Sequence, residues 1–306
     1  LPANHVGDAR VQVVDRDGEV VEDRAVGAGD HGVVEVGVLE AGVPPHGITN
    51  DRRALGGHAQ SHGALPLVLA GSLAVLVGAA GPARAATTVD LGTASSYAVL
   101  AGSGITNTGE STITGDIGTS PTPAETGIDP CPSAANCVNL TGSNHPADAA
   151  ALQAKQDLTT AYDSAAGQSA DAALAADLGG LTFTSGVYRA AGALGLTGEV
   201  TLDAQNVGGA VFVFQVGSSF VTASASSVKL VNGASACNVF FQVGSAATLG
   251  TTTAFRGTIM AHDDISVGDA VTVDGRLLGG EQASGAGAVT LIHDTITTPT
   301  ATVTVA

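Results

Sequence analysis

The sequence predicts a mainly β fold, an irregular three-sided right-handed β-solenoid with one long α-helix packed alongside. Composition is the first reason. The 306 residues include 42 glycines, 3% aromatics and no tryptophan, too few large side chains for a thick core. Thin stacked layers of Val, Ile, Leu and Ala with glycine at the corners fit better. The second reason is self-repetition: "FQVGS" at Phe214–Ser218 returns at Phe241–Ser245, a shift of 27 residues. That length suits one turn of a three-sided coil, three strands of about five or six residues plus corners. The third is a single change of period, to a helical one, in a chain that otherwise reads as short strands.

Residues 1–50 are rich in charge and follow neither a strand nor a helix period, so they read as an upstream extension, non-native or disordered. We expect the translated protein to start near residue 50. Residues 51–85 have the order of a secretory signal: "NDRR", an apolar run at 64–80, then Ala83-Arg84-Ala85, with small residues at the positions a signal peptidase reads. Cleavage is expected after Ala85. The alternative for the apolar run is a membrane anchor, which the small-residue site and the glycines argue against.

From 89 to 120 short strands alternate with glycine. Residues 121–145 read as a loop insertion holding Cys131 and Cys137, a six-residue spacing that in an exported chain suits a small disulfide. Cys237, beside an apolar strand, reads as a buried free thiol. The helix is expected over 146–166, with Asn144 in the cap region, Pro146 in the first turn and Asp148 favouring the N-terminus. Its apolar stripe is Ala151, Ala154, Leu158, Ala161, Tyr162 and Ala165; Lys155, Gln156, Thr159 and Asp163 lie off it, and Gly167 ends it. The runs "AVFV" and "CNVF" before the two repeats leave no polar side to the strand, so these strands should be covered on both faces, with this helix outside. Strands resume over 181–297, and residues 299–306 form a Thr/Pro-rich tail to a domain spanning 86–298.

Behind each doubly covered strand comes a segment of small residues: "FVTASASSV" (220–228), "ATLGTTTAF" (247–255) and "ISVGDAVTV" (265–273). Aligning Val228, Phe255 and Val273 also aligns Ala223, Gly250 and Gly268. The segments then read as successive rungs of one face paved with Thr, Ser, Ala and Gly.

Charge excludes some functions. The formal net charge is −17, and residues 86–306 carry five Lys and Arg against 18 acids, so a nucleic-acid partner is not expected. "GSGITNTG" is no dinucleotide fingerprint, since Asn107 stands at the third glycine and no βαβ context follows. No glycine-rich calcium nonapeptide occurs. For an enzyme on such a scaffold the candidate cluster is His262, Asp263 and Asp264 with His293 and Asp294, for which solvated corners are the plainer reading. An exported adhesin holding its cell to a surface, such as a glycan or another cell, is a further alternative.

The stretches "VDLGTASSYAVLAGSGITNTGESTITGDIGTSP", "LGGLTFTSGVYRAAGALGLTGEVTLDA", "AVFVFQVGSS", "ACNVFFQVGSAATLGTTTAFRGTIMA" and "VDGRLLGGEQASGAGAVTLIHDTIT" resemble, in this order, the secreted microbial ice-binding (antifreeze) proteins with a discontinuous β-solenoid domain. The resemblance covers 89–297. It implies a three-faced solenoid flanked by a long helix, with ice bound on one exposed parallel sheet, no catalysis, no cofactor and no metal. A Thr-Ala/Gly-x-Thr/Asn pattern is common on that face in the family. Here it is partial, at Thr222 and Thr197, where Ala225 and Val200 take the fourth place. The candidate ice-binding residues are Thr197, Thr222, Ser224, Ser226, Thr248, Thr251, Thr253, Ser266 and Thr272, with Asp269 a charge on or near the surface. The expected partner is an ice crystal surface with its ordered water. The mature chain is expected to be secreted, monomeric and without stable membrane insertion.

Overall fold

The computed structural model describes residues 9–14, 20–26, 86–280 and 286–300. The chain divides into two units, Leu1–Ala74 and Val75–Ala306. In the first, Ala9–Val14 pairs antiparallel with Val20–Val26. The sequence reading has no strands in 1–50. Val11 and Val13 alternate with Arg10 and Gln12 there, but over too short a run to show against the surrounding charge. The expected signal segment 51–85 lies outside the described residues, as do 301–306 of the tail.

The second unit is a stack of strands on three sides, every described pair of them parallel. One side runs from Gly186–Ala190 through Phe212–Val216 and Val239–Val243 to 258–261, 276–279, Tyr97–Ala101 and Asp116–Thr119. Phe212–Val216 and Val239–Val243 are buried at every position because both surfaces are covered. Phe214 and Phe241 face the interior, stacked with centroids 4.6 Å apart. That stack is what the "FQVGS" repeat builds. Val213, Phe240, Met260, Leu278 and Leu100 face the other way, onto the helix α1, Ala149–Ala166.

Helix α1 supplies Ala154, Leu158, Ala161, Tyr162 and Ala165 to that contact. Its 18 residues span about 27 Å, close to the roughly 24 Å of five strand spacings between Asp116–Thr119 and Phe212–Val216. It begins at Ala149 rather than 146, because Asp148 is the N-cap and accepts from the Ala151 amide at 2.9 Å. Asn144, expected near the cap, belongs instead to a short strand, Asn144–Pro146. Lys155, placed off the stripe by sequence, is 1% exposed and donates from Nζ to the Gly279 carbonyl at 2.7 Å. At the far end the Gln215 amide donates to the carbonyls of Ala165, Ala166 and Gln168, taking up carbonyls that a helix terminus leaves open.

The coil length is uneven. Phe241 follows Phe214 by 27 positions, whereas Ile259 follows Phe241 by 18. The shorter coil is possible because Ala254–Ala261 and Thr272–Gly279 pass round a corner without a loop. Gly257 and Gly275 stand at that bend, and a β-carbon on Gly275 would lie 1.8 Å from the Gly257 carbonyl oxygen.

The N-terminal strands do not precede the stack. Gly104–Thr108 pairs with Ala288–Ile292, and Tyr97–Ala101 pairs with Thr272–Gly279, so residues 97–146 extend the C-terminal end. The 121–145 segment, read as loop, contributes Glu125–Thr126 and Cys137–Thr141 to this end. Cys131 and Cys137 are joined there, S–S 2.07 Å. Among the described residues no helix is long and apolar enough to cross a membrane.

Candidate functional site

One side of the stack is a seven-stranded sheet in the order Leu194–Leu196, Phe220–Thr222, Ala247–Leu249, Ile265–Asp269, Ala288–Ile292, Gly104–Thr108, Glu125–Thr126. Alternation fixes its two surfaces. Leu194, Leu196, Phe220, Ala247, Leu249, Ile265, Val289 and Ile105 point inward and are buried. The residues between them point out. Strand pairing places these in a single column, Gly195, Val221, Thr248, Ser266, Thr290, Thr106 and Thr126. Neighbours in it are about 4.8 Å apart. Ile292 and Thr108 begin a second column two residues along, about 6.7 Å away. None of the seven strands contains lysine or arginine. The charges at its margins are acidic: Asp264 accepts from the Ala288 amide at 2.7 Å, and Asp269 meets His293 Nδ1 at 2.8 Å.

The opposite arrangement holds on the third side. There Glu199, Lys229, Arg256, Asp274 and Glu110 belong to outer columns, and Lys229 pairs with Glu199 at 3.1 Å. Threonines stand at 272, 295, 297, 112 and 114, with Ser227, Ala254 and Asn139 in the same columns. Long charged side chains with mobile hydration interrupt any regular array on this side.

Between the two sides the chain turns through a residue in the left-handed region: Ala225, Thr252, Ala270 and His293, φ 53–58°. Each donates its amide to the next coil, to the carbonyls of Thr251, Asp269, Ile292 and Thr108 in turn. The following residue turns inward, giving the buried column Ser226, Thr253, Val271, Asp294 and Ser111. Its hydroxyls satisfy corner groups that water cannot reach. Ser226 donates to the Leu196 carbonyl at 2.8 Å, and Thr253 Oγ1 lies 3.0 Å from Thr222 Oγ1, which accepts from the Gly250 amide at 2.9 Å.

The expected ice-binding residues therefore separate. Thr248 and Ser266 stand in the outer column. Ser224 and Thr251 are exposed at the corner beside it. Thr197 is exposed, but its hydroxyl donates to Asp177 at 2.7 Å; burial raises the Asp177 carboxyl, and this bond with the Thr197 and Gly179 amides outweighs it, leaving the acid below its usual range. Three expectations are corrected: Thr222, Ser226 and Thr253 are buried, at 3%, 1% and 1%, since each faces the corner interior. A fourth, Thr272, is exposed on the third side, because 220–228, 247–255 and 265–273 each wrap a corner and so serve two faces. The shared alignment of Ala223, Gly250 and Gly268 is real: a β-carbon on Gly250 would meet Ala223, and one on Gly268 would meet Gly250.

Thr290, Thr106 and Thr126 were missed. The alternation of Thr290 with Val289 and Leu291, and Thr106-x-Thr108, could have shown strands with outward hydroxyls. Joining them to Ser266 needed the pairing of the chain's end with its beginning.

The candidate catalytic cluster does not assemble. His262, Asp263 and Asp264 lie at the corner entering the seven-stranded sheet, and His293 and Asp294 at the corner leaving it. Asp294 is 1% exposed and accepts from the backbone amides of Val271 and Ile292. Burial pushes its carboxyl up to about 6, against those two bonds, with Asp269 raising and His293 lowering it further. Among the described residues no three potential ligands gather to hold a metal ion. Cys237, expected buried, is half-exposed in the turn Ala236–Asn238, its Sγ 3.5 Å from the Pro299 carbonyl.

The family model described as ice-binding-like matches residues 99–297. An ice-binding protein of Nostoc sp. (strain HG1) is 46% identical over 198 residues, 64% of this chain and 71% of that protein. One from Flavobacterium frigoris (strain PS1) is 33% identical, covering 69% and 76%. Among solved structures, an ice-binding protein from an Antarctic biological consortium superposes with a TM-score of 0.66 at 40% identity, over 71% of this chain and 94% of its own. One from the Antarctic ascomycete Antarctomyces psychrotrophicus gives 0.64 at 39%, over 70% and 100%.

Proposed function

The chain belongs to the ice-binding-like family, and from this we propose that it is an exported, monomeric, non-enzymatic protein that adsorbs to ice through its seven-stranded sheet and restrains ice growth or recrystallisation. The observation that carries the choice of surface is the register-locked outer column Val221, Thr248, Ser266, Thr290, Thr106 and Thr126 on a sheet without a basic residue.

Ice differs from liquid water only in arrangement, so its recognition requires a surface that is itself periodic. A grid of about 4.8 by 6.7 Å meets that requirement with small, repeated groups. Each threonine hydroxyl can hydrogen-bond a water, while its methyl, like those of Val221 and Ile292, favours a cage of ordered water around it. Threonine and valine are stiff at χ1, and the sheet that carries them is buried on its inner face, with its five inner strands paired on both sides. Little conformational entropy is then lost when the surface meets the crystal.

Secretion is supported by the apolar run and small-residue site ahead of residue 86 and by the Cys131–Cys137 disulfide, which suits an oxidising compartment. N-terminal sequencing of protein exported by cells should start at Ala86. The function is tested by nanolitre osmometry with observation of crystal shape. A gap between melting and growth temperatures, with faceted crystals, is expected. Round crystals growing freely at high protein concentration would overturn the proposal.

A further inference from the structure

We propose that Asp294 is a positioning residue for the ice-facing sheet, latching its C-terminal rungs to the N-terminal rungs stacked on them. The inference rests on the reading of the seven-stranded sheet as the ice surface. Its ground is a hydrogen-bonded chain that crosses the sheet's discontinuity, where Ala288–Ile292 meets Gly104–Thr108.

The Asp294 Oδ1 accepts from the Val271 amide at 2.9 Å, and Oδ2 from the Ile292 amide at 2.7 Å. Its own amide donates to Ser111 Oγ at 2.9 Å, a partner 183 residues away in sequence. Ser111 Oγ donates to Asn107 Oδ1 at 2.7 Å. Asn107 Nδ2 lies 2.9–3.0 Å from the carbonyls of Gly109, Gly127 and Cys137. Every member of this side-chain relay is buried. It runs from the corner after Ile265–Asp269 to the corner after Glu125–Thr126. The four rungs it links are those that carry Ser266, Thr290, Thr106 and Thr126. Elsewhere in the same inward column the residues are Ser226, Thr253, Val271 and Ser111, so the one ionisable group stands at the seam.

Both Asp294 oxygens face amide donors. The carboxylate satisfies both, whereas a protonated carboxyl puts a hydrogen against one of them and weakens that bond. The charged groups acting on it are Asp269 and His293, themselves 2.8 Å apart; Glu110, beside Ser111, accepts from Asn139 on the outer surface. Burial raises the group to about 6, so the latch changes state in mildly acidic solution. Because the folded value lies above the ordinary 3.8, the global stability contributed by this group is full below the ordinary value and is lost as pH rises through about 6. The local amide bonds change in the other direction, becoming complete as pH rises. A residue that merely supports the fold would move both observables together.

The test uses the full chain and Asp294→Ser, which keeps one acceptor, as its column neighbours do. Ice-growth inhibition per folded molecule and the amide protection factors of Val271 and Ile292 are followed between about pH 5 and about pH 7.5. In the unmodified chain both should rise several-fold across this range. In Asp294→Ser both should be flat. Protection factors that stay level in the unmodified chain, or a variant keeping its full pH profile, would overturn the latch. Protection that rises without ice activity at any pH supports the latch and overturns the reading of the sheet as an ice surface.

Discussion

Thr222 Oγ1 and Thr253 Oγ1 lie 3.0 Å apart inside the corner that borders the seven-stranded sheet, both side chains almost wholly buried. The threonine of the family-like pattern at 222 therefore serves the corner from within, and the outer surface is made by residues one position away. The Thr222 hydroxyl also accepts from the Gly250 amide, and Thr253 reaches the Ala223 carbonyl. Buried groups at a turn of this kind have no water to replace a lost partner.

It follows that Thr222→Val should act on stability and not on ice. Removal of the hydroxyl strands the Gly250 amide, with a cost of about 1–3 kcal/mol. Urea unfolding should show this loss, while ice-growth inhibition, compared at equal folded fraction, stays at the parent value. A loss of ice activity without loss of stability would mean that Thr222 contacts ice after all.

The outer column predicts a reverse pattern. Thr248→Tyr, Thr290→Tyr and Thr106→Tyr each place a large ring on the regular array and should remove most of the ice-growth inhibition, with circular dichroism and unfolding midpoint nearly unchanged. Thr112→Tyr, on the third side, is the control and should keep full activity. Equal losses in the two sets would assign ice contact to both sides, and a loss at Thr112 alone would move the site.

These two predictions show where the sequence was informative. The "FQVGS" repeat fixes the stacking of Phe214 on Phe241, and the covered runs around it require the helix. Composition and repetition are consequences of local physics, so they can be read without coordinates. The site was less legible because a segment such as "ATLGTTTAF" turns a corner inside itself. One left-handed residue, Thr252, reverses which of its threonines point outward, and nothing in a β-branched residue announces φ 58°. The pairing of Gly104–Thr108 with Ala288–Ile292 is a long-range choice made by edges of the stack, so Thr106 and Thr126 could not be added to the column from local pattern. The Lys155 burial is similar, since the Gly279 carbonyl that accepts from its Nζ lies on a strand far away in sequence.

A pH effect of opposite sign to that of Asp294 is expected at the helix. Asp157 accepts from the Thr93 hydroxyl at 2.6 Å and its amide at 2.7 Å, with Gln153 also donating, and these bonds hold its carboxyl below the usual carboxylate range. A lowered folded value means the contribution is present above the ordinary range and is lost as pH falls through the folded value. Asp157→Ala should therefore melt below the parent chain near neutral pH, and the gap should close in strong acid. A gap that persists there would show that packing against Gly92–Ser96, and not the charge, carries the effect.

The sharpest stability prediction concerns the bend of the short coils. A β-carbon on Gly275 would lie 1.8 Å from the Gly257 carbonyl oxygen and 2.7 Å from its carbon. Backbone atoms of a neighbouring strand cannot withdraw as a flexible side chain can, so the two strands would have to part. Gly257 and Gly275 pair directly, and the strands running through them also carry Ile259, Met260, Leu277 and Leu278 into the two cores. Opening the bend would disturb interior and helix contacts together. Gly275→Ala should cost several kcal/mol, about 3 or more, at the far end of what single substitutions do. Gly233→Ala, in the loop of a longer coil where nothing lies within 4 Å of the added carbon, has a left-handed φ of 84° and should cost only about 1–2 kcal/mol from backbone strain. Thermal and urea unfolding of the two variants should rank them in this order. A Gly275→Ala protein as stable as the Gly233→Ala one would mean that the strands at the bend are not held this close.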